Sequence, residues 1–167
     1  HDFDFVEQAR RTLWHSRPGL ENVKLPPSVQ VKSTRRSTWT LQRRWLRELY
    51  SPDVRWNLPI QIGQYAPGLL GGLLRLFSEH KIRQWSAFHR GEWIGSLTWQ
   101  HSYSQADWLW LAAPPEKRSL AILALIPQAY QNLRSERTIK PGRVLAVNFP
   151  AGDAADAFEA IGFENHN

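Results

Sequence analysis

Three arginines set close together, Arg43, Arg44 and Arg47, are the first side chains whose type and spacing invite a chemical reading. Guanidinium groups on one face of a helix can meet phosphates, and on a solvated face they keep a chain in solution. They belong to a basic half: residues 1–83 carry 14 Lys/Arg against 7 Asp/Glu, and residues 84–167 carry 7 against 8, within a net charge of +6 over 167 residues. No recognised nucleic-acid motif accompanies them, so a solvated helix face is the stronger expectation and a nucleic-acid partner is not expected. The absence of cysteine excludes a disulfide framework, a thiol nucleophile, an iron–sulfur cluster and thiolate-held zinc. It also fits a reducing, cytoplasmic compartment. No run of about 18 apolar residues is present, so no membrane partner or span is expected. Methionine is absent and the chain opens His1-Asp2-Phe3, which leads us to expect part of a longer protein.

The elements that would carry these side chains follow from periodicity. Phe5, Ala9 and Leu13 recur at helical spacing, so residues 3–14 are expected to be helical, although Phe3-Asp4-Phe5-Val6 alternates and also fits a strand end; Pro18-Gly19 ends that element. With Pro26-Pro27 following, residues 1–28 are expected to be a leader or inter-domain connector. Val29–Lys32 alternates as a strand. Trp39 to Tyr50 forms an amphipathic helix that stops before Pro52, residues 51–66 form a loop, and Leu69–Phe77 is a second helix. From Ile82 the period changes. Ile82–His89 and Glu92–Gln100 are two arms of a hairpin turned at Arg90-Gly91. Asp107–Ala112 is a buried strand in which Trp108 and Trp110 serve packing. Lys117–Leu133 is a long buried helix with Pro127 inside it, expected to kink. Arg143–Phe149 is a strand, and Asp153–Ile161 a helix capped at Gly162. The span 107–149 is a strand–helix–strand unit, which implies a parallel pair, whereas the hairpin implies antiparallel pairing. The fold class is therefore α/β, a mixed and mostly antiparallel central sheet with helices on both faces.

This order resembles the GNAT superfamily of N-acetyltransferases. The residues that carry the likeness are Trp93-Ile94-Gly95-Ser96-Leu97, the strand Asp107–Ala112 with the long helix directly after it, and the stretch from Val144 through Asn148, Ala154-Ala155 and Phe158-Glu159-Ala160-Ile161-Gly162-Phe163. The resemblance implies a GNAT-like domain over residues 29–167, lacking its last strand, with acetyl-CoA as cofactor and no metal. It implies direct attack of an amine, on a small molecule or a protein, on the acetyl group. It places the cofactor beside Leu111 and Ala112 at the end of one strand, Arg118 and Ser119 at the start of the long helix, and Asn148 on the next strand.

Two departures from the family pattern are legible. The phosphate-binding stretch of the family reads Gln/Arg-x-x-Gly-x-Gly/Ala, and here Arg118-Ser119-Leu120-Ala121-Ile122-Leu123 keeps only the leading arginine. The family often places a proton-donating Tyr where this chain has Phe158, which has no proton to give. His101, Tyr103 and Glu116 are the nearest alternatives, each expected as a surface or turn residue, so no catalytic residue is assigned. Two functions remain: an acetyltransferase, or a non-catalytic GNAT-fold module packed on a catalytic partner. The leader and the missing final strand fit the degenerate C-terminal half of a tandem GNAT protein, its partner being the other GNAT domain or a second copy.

Overall fold

A computed structural model describes residues 9–17, 20, 23–68 and 81–166. Seven strands form one sheet: β1 (Arg11–Ser16), β2 (Val29–Ser33), β3 (Ile82–His89), β4 (Glu92–Gln100), β5 (Ala106–Ala112), β6 (Val144–Pro150) and β7 (Phe163–His166). Their order across the sheet is β2-β3-β4-β5-β6-β1-β7. Only β5 and β6 run parallel, and every other neighbouring pair is antiparallel. Four helices lie among the described residues: α1 (Arg36–Leu49), α2 (Pro52–Arg55), α3 (Arg118–Ser135) and α4 (Ala155–Ala160). Short 3-10 turns occupy Ile62–Tyr65 and Pro115–Lys117.

The hairpin β3–β4 turns where expected. Arg90 and Gly91 both have positive φ, 51° and 84°, the conformation that matches the twist of the flanking strands. β4 is buried on both faces because α1 and α3 cover opposite sides of it. Its alternating residues divide between them: Thr98 accepts a hydrogen bond from Gln42 of α1 at 3.0 Å, whereas Gly95 lies against Ala121 of α3. The α1 side carries a polar seam inside the core. Gln42 also donates to Gln84 at 2.9 Å, Tyr65 and Trp110 both donate to Gln100 Oε1, at 2.6 and 2.9 Å, and Ser86 shares a proton with Ser96 at 2.7 Å. These pairings are what allow so many polar side chains below the surface, since a buried polar group without a partner costs about 1–3 kcal/mol.

α3 is apolar on most of its circumference. Ile122, Leu125, Ile126, Ala129 and Leu133 are all buried, and the helix runs through Pro127 as a single element. The stacked pair Trp108 and Trp110, with centroids 5.2 Å apart and planes 8° from parallel, serves packing as expected.

Four expectations are corrected. Residues 11–16 are a strand and not part of a helix. The i, i+4 spacing of Phe5, Ala9 and Leu13 competed with an alternation of buried Thr12 and Trp14, and the sheet selected the alternation. Secondly, this strand lies inside the domain and not in a leader: β1 pairs with β6 on one side and β7 on the other. Thirdly, a strand does follow Gly162, because Phe163–His166 forms β7 at the edge of the sheet. β1 fills the place between β6 and β7, so the sheet is completed from the N-terminal side. Residues 51–66, expected as loop, contain α2 and a 3-10 turn. The helix expected at Leu69–Phe77 lies outside the described residues.

Candidate functional site

β5 and β6 pair over only three positions, Ala106 with Val144, Asp107 with Leu145 and Trp108 with Ala146. Beyond them the strands part. β5 stays with β4 as far as Ala112, and β6 stays with β1 as far as Pro150. The result is a wedge that opens toward the C-terminal ends of the two parallel strands, where ligands of α/β sheets commonly enter. Leu111 and Ala112 stand on one side of it and Asn148 on the other.

Protein side chains bridge this wedge twice. The first bridge comes from α1 and β1. Tyr50, at the C-terminal end of α1, is fully buried and meets Trp110 of β5 edge-on at 5.3 Å. Burial pushes its hydroxyl up to about 12, partly offset by the nearby Arg11 charge, and that hydroxyl has no hydrogen-bond partner among the described residues. Arg11 lies over the Tyr50 ring at 5.1 Å. Its Nε donates to Asn148 Oδ1 at 2.7 Å, its Nη2 to the Asn148 carbonyl at 3.0 Å and its Nη1 to the Leu49 carbonyl at 2.9 Å. Trp110, Tyr50, Arg11 and Asn148 thus form a continuous line from β5 to β6. Burial lowers the Arg11 pKa, opposed by Tyr50 and reinforced by the like charge of Arg118.

The second bridge comes from α3. Arg118 turns inward, packs over Phe149 at 5.7 Å and bonds Asp153 in the turn that follows β6. Its side chain is 13% exposed. Phe158, where an acid would stand by resemblance, is fully buried in an aromatic cluster with Trp14, Phe149 and Phe163.

Outside the wedge a cleft of about 370 Å³ is lined by Ala9, Arg11, Asp53, Val54, Trp56, Asn57 and Asn148. Trp56 stands 82% exposed beside it.

The start of α3 is poor in the groups a pyrophosphate needs. Anion binding at a helix start depends on free backbone N–H groups and close approach. Pro114 and Pro115 have no N–H, and the Lys117 N–H is spent on the Pro114 carbonyl at 3.0 Å. Ala121 stands where the family pattern has a glycine, and it is buried against Gly95. Leu123, at the second small position, packs against the core. Glu116 adds a negative charge to the same turn. Among the expected cofactor residues, Leu111, Ala112 and Asn148 come together at the wedge, Arg118 is committed to Asp153, and Ser119 is exposed on the first turn of α3. These residues do not fit acetyl-CoA. Of the alternative acids, Glu116 and Tyr103 are exposed, and His101 lies at the opposite end of β5. No group of three or more His, Asp or Glu suited to a metal occurs among the described residues, and no helix among them is long and apolar enough to cross a membrane.

Arg11, Tyr50 and Asp153 were not singled out by sequence patterns as site residues. Tyr50 was legible only as the last apolar residue of a helix, and Arg11 lies in a segment that periodicity assigns to a helix and the structure to a strand.

No protein-family model and no curated protein matches the sequence. Solved structures do match. A GCN5-related N-acetyltransferase from Kribbella flavida aligns over 95% of this chain and 55% of its own, at 13% identity and a TM-score of 0.55. A tandem GNAT protein from the clavulanic acid biosynthesis pathway aligns over 93% of this chain and 50% of its own, at 15% identity and a TM-score of 0.56. AAC(6')-Iy, solved with the bisubstrate analogue CoA-S-monomethyl-acetylneamine, aligns over 81% of this chain and 90% of its own, at 16% identity and a TM-score of 0.50. The chain spans about half the length of the first two. At these identities the likeness is one of fold, and the chain has the GNAT N-acetyltransferase fold.

Proposed function

We propose that this domain is a non-catalytic GNAT-fold module that packs on a catalytic GNAT domain, either within one parent chain or in a partner copy. The observation that carries this reading is the double bridge across the wedge. Arg118 is drawn into an ion pair with Asp153, and Tyr50 with Arg11 spans from Trp110 to Asn148. The likeness to a tandem GNAT protein supports the pairing of two such domains. An ordinary acetyltransferase would hold these places open for a cofactor.

The competing reading is acetyl transfer from acetyl-CoA to an amine. The parting of β5 from β6 beyond Trp108 and Ala146, with Asn148 at the opening, favours it. Calorimetric titration of the folded chain with acetyl-CoA and with CoA separates the two. The module reading expects no saturable heat. Binding tighter than about 100 μM, near −5.5 kcal/mol, would overturn it in favour of the enzyme.

A further inference from the structure

At the end of the sheet opposite the wedge, the N-terminal ends of β5 and β6 hold a second polar site. Asp107 is 1% exposed and its carboxylate gathers donors from three directions. Oδ1 accepts from Arg143 Nη2 at 2.7 Å, Arg143 Nε at 3.0 Å and the Ser102 N–H at 3.0 Å, and it lies 3.1 Å from His101 Nδ1. Oδ2 accepts from Trp99 Nε1 at 3.2 Å. An ionised carboxylate can only accept, so Nδ1 of His101 carries its proton toward Asp107, and Nε2 is the nitrogen left uncommitted. A pocket of about 240 Å³ opens over this cluster, lined by Lys81, His101, Tyr103, Thr138, Lys140 and Arg143 among others.

The charges around this pocket do not cancel. Among the described residues Asp107 is the only acidic one lining it, and Arg143 already answers it. Lys81 and Lys140 remain, both exposed and in no ion pair among the described residues. A small concave site edged by two ammonium side chains and a fixed imidazole is complementary to a compact anion with several acceptor oxygens, and Thr138, whose hydroxyl donates to Glu136 at 3.5 Å, stands at its rim. Tyr103, 70% exposed and edge-on to the His101 ring at 5.7 Å, supplies a wall for whatever the anion is attached to.

We propose that this pocket binds a phosphomonoester, with the phosphate held by Lys81, Lys140 and His101 and the rest of the ligand against Tyr103. Asp107 and Arg143 act as positioning residues that fix His101 and the loop. The site lies apart from the wedge, so it stands or falls independently of whether the domain binds acetyl-CoA.

The test follows the His101 ring signals by NMR in the intact chain at constant ionic strength. Inorganic phosphate, adenosine monophosphate and adenosine are the three probes. The expected result is saturable shifts with phosphate and tighter ones with the monophosphate, and none with adenosine. Lys140→Ala and Lys81→Ala should each weaken binding about fivefold or more, whereas Arg43→Ala, which removes the same charge from α1, should leave it unchanged. Equal shifts with sodium chloride in place of phosphate at the same ionic strength would overturn the proposal. So would an equal loss in Arg43→Ala, or unaltered binding in both lysine variants. Both lysines are exposed, so each variant is expected to fold, and its one-dimensional spectrum checks this directly.

Discussion

Arg118 of α3 bonds Asp153, thirty-five residues later, across the mouth of the wedge between β5 and β6. The arginine keeps 13% of its side-chain surface and the aspartate 29%. The pair therefore sits at the edge of the interior, where a guanidinium left alone would be poorly solvated. Arg118 also rests over Phe149, so its stem is fixed by packing as well as by charge.

Asp153→Ala removes the counter-charge and leaves Arg118 partly buried with Arg11 as a like-charged neighbour. The variant should lose about 1–3 kcal/mol, less than for a fully buried pair because Asp153 is part-solvated. Urea unfolding with an unchanged m-value measures it. A loss below about 0.5 kcal/mol would show that the pair does not hold the wedge shut.

Gly95 and Ala121 define how closely α3 approaches β4. A Cβ at position 95 would stand 2.9 Å from the Ala121 Cβ, 3.1 Å from the Ala112 carbonyl oxygen and 3.2 Å from the Ala113 Cβ. None of these atoms is the end of a flexible side chain, so Gly95→Ala should cost about 1–3 kcal/mol by overpacking. Ala121→Gly costs about 1 kcal/mol alone through helix propensity. Combined with Gly95→Ala it should recover part of the loss, giving a favourable coupling in a double-mutant cycle. Strict additivity would place the strain elsewhere.

The residues around the wedge show what was legible in the sequence and what was not. The hairpin, the parallel strand–helix–strand unit and the Gly162 turn were fixed by local patterns: period two, Arg90-Gly91, a Pro-led long helix, a C-capping glycine. The loss of glycines after Arg118 was also plain. What local patterns could not give was the destination of Arg118, which depends on a turn thirty-five residues away, or the reach of Arg11 from β1 to Asn148, 137 residues distant. Long-range pairings of this kind leave no periodic trace. The charge excess of the first half was equally ambiguous: Arg43, Arg44 and Arg47 are exposed on α1 as expected, whereas Arg11 from the same half is built into the wedge.

His15 on β1 and His166 on β7 face each other with ring centroids 4.6 Å apart. Burial lowers the His15 pKa below 6.5, and the His166 charge lowers it further. A group whose folded pKa is depressed binds fewer protons when folded, so the unfolded chain gains protons first as pH falls. The native state is favoured above pH 6.5, and that advantage is lost as pH falls from there through the folded pKa. Stability measured from pH 7.5 to 5.5 should therefore decline, and His15→Gln should flatten the decline. An unchanged slope in the variant would assign the acid sensitivity to other groups.

β1 should be indispensable, although the sequence marks it as a leader. It pairs at five positions with β6 and four with β7, so without it two neighbouring strands lose their ladders at once. Trp14 is 3% exposed and stacks on Phe158 at 5.0 Å with planes 15° apart, tying the strand to the α4 aromatic cluster. Trp14→Ala alone should cost about 3–5 kcal/mol, a large fraction of a typical domain's stability. A chain of residues 18–167 should accordingly show no cooperative unfolding transition. Because β1 joins the sheet through antiparallel pairing on both sides, a synthetic peptide of residues 9–17 added to that truncated chain should restore the transition in a concentration-dependent way. The same peptide with Trp14→Ala should not. A truncated chain that unfolds cooperatively without peptide would mean that β6 and β7 close on each other directly, and that β1 is an added strand and not a structural one.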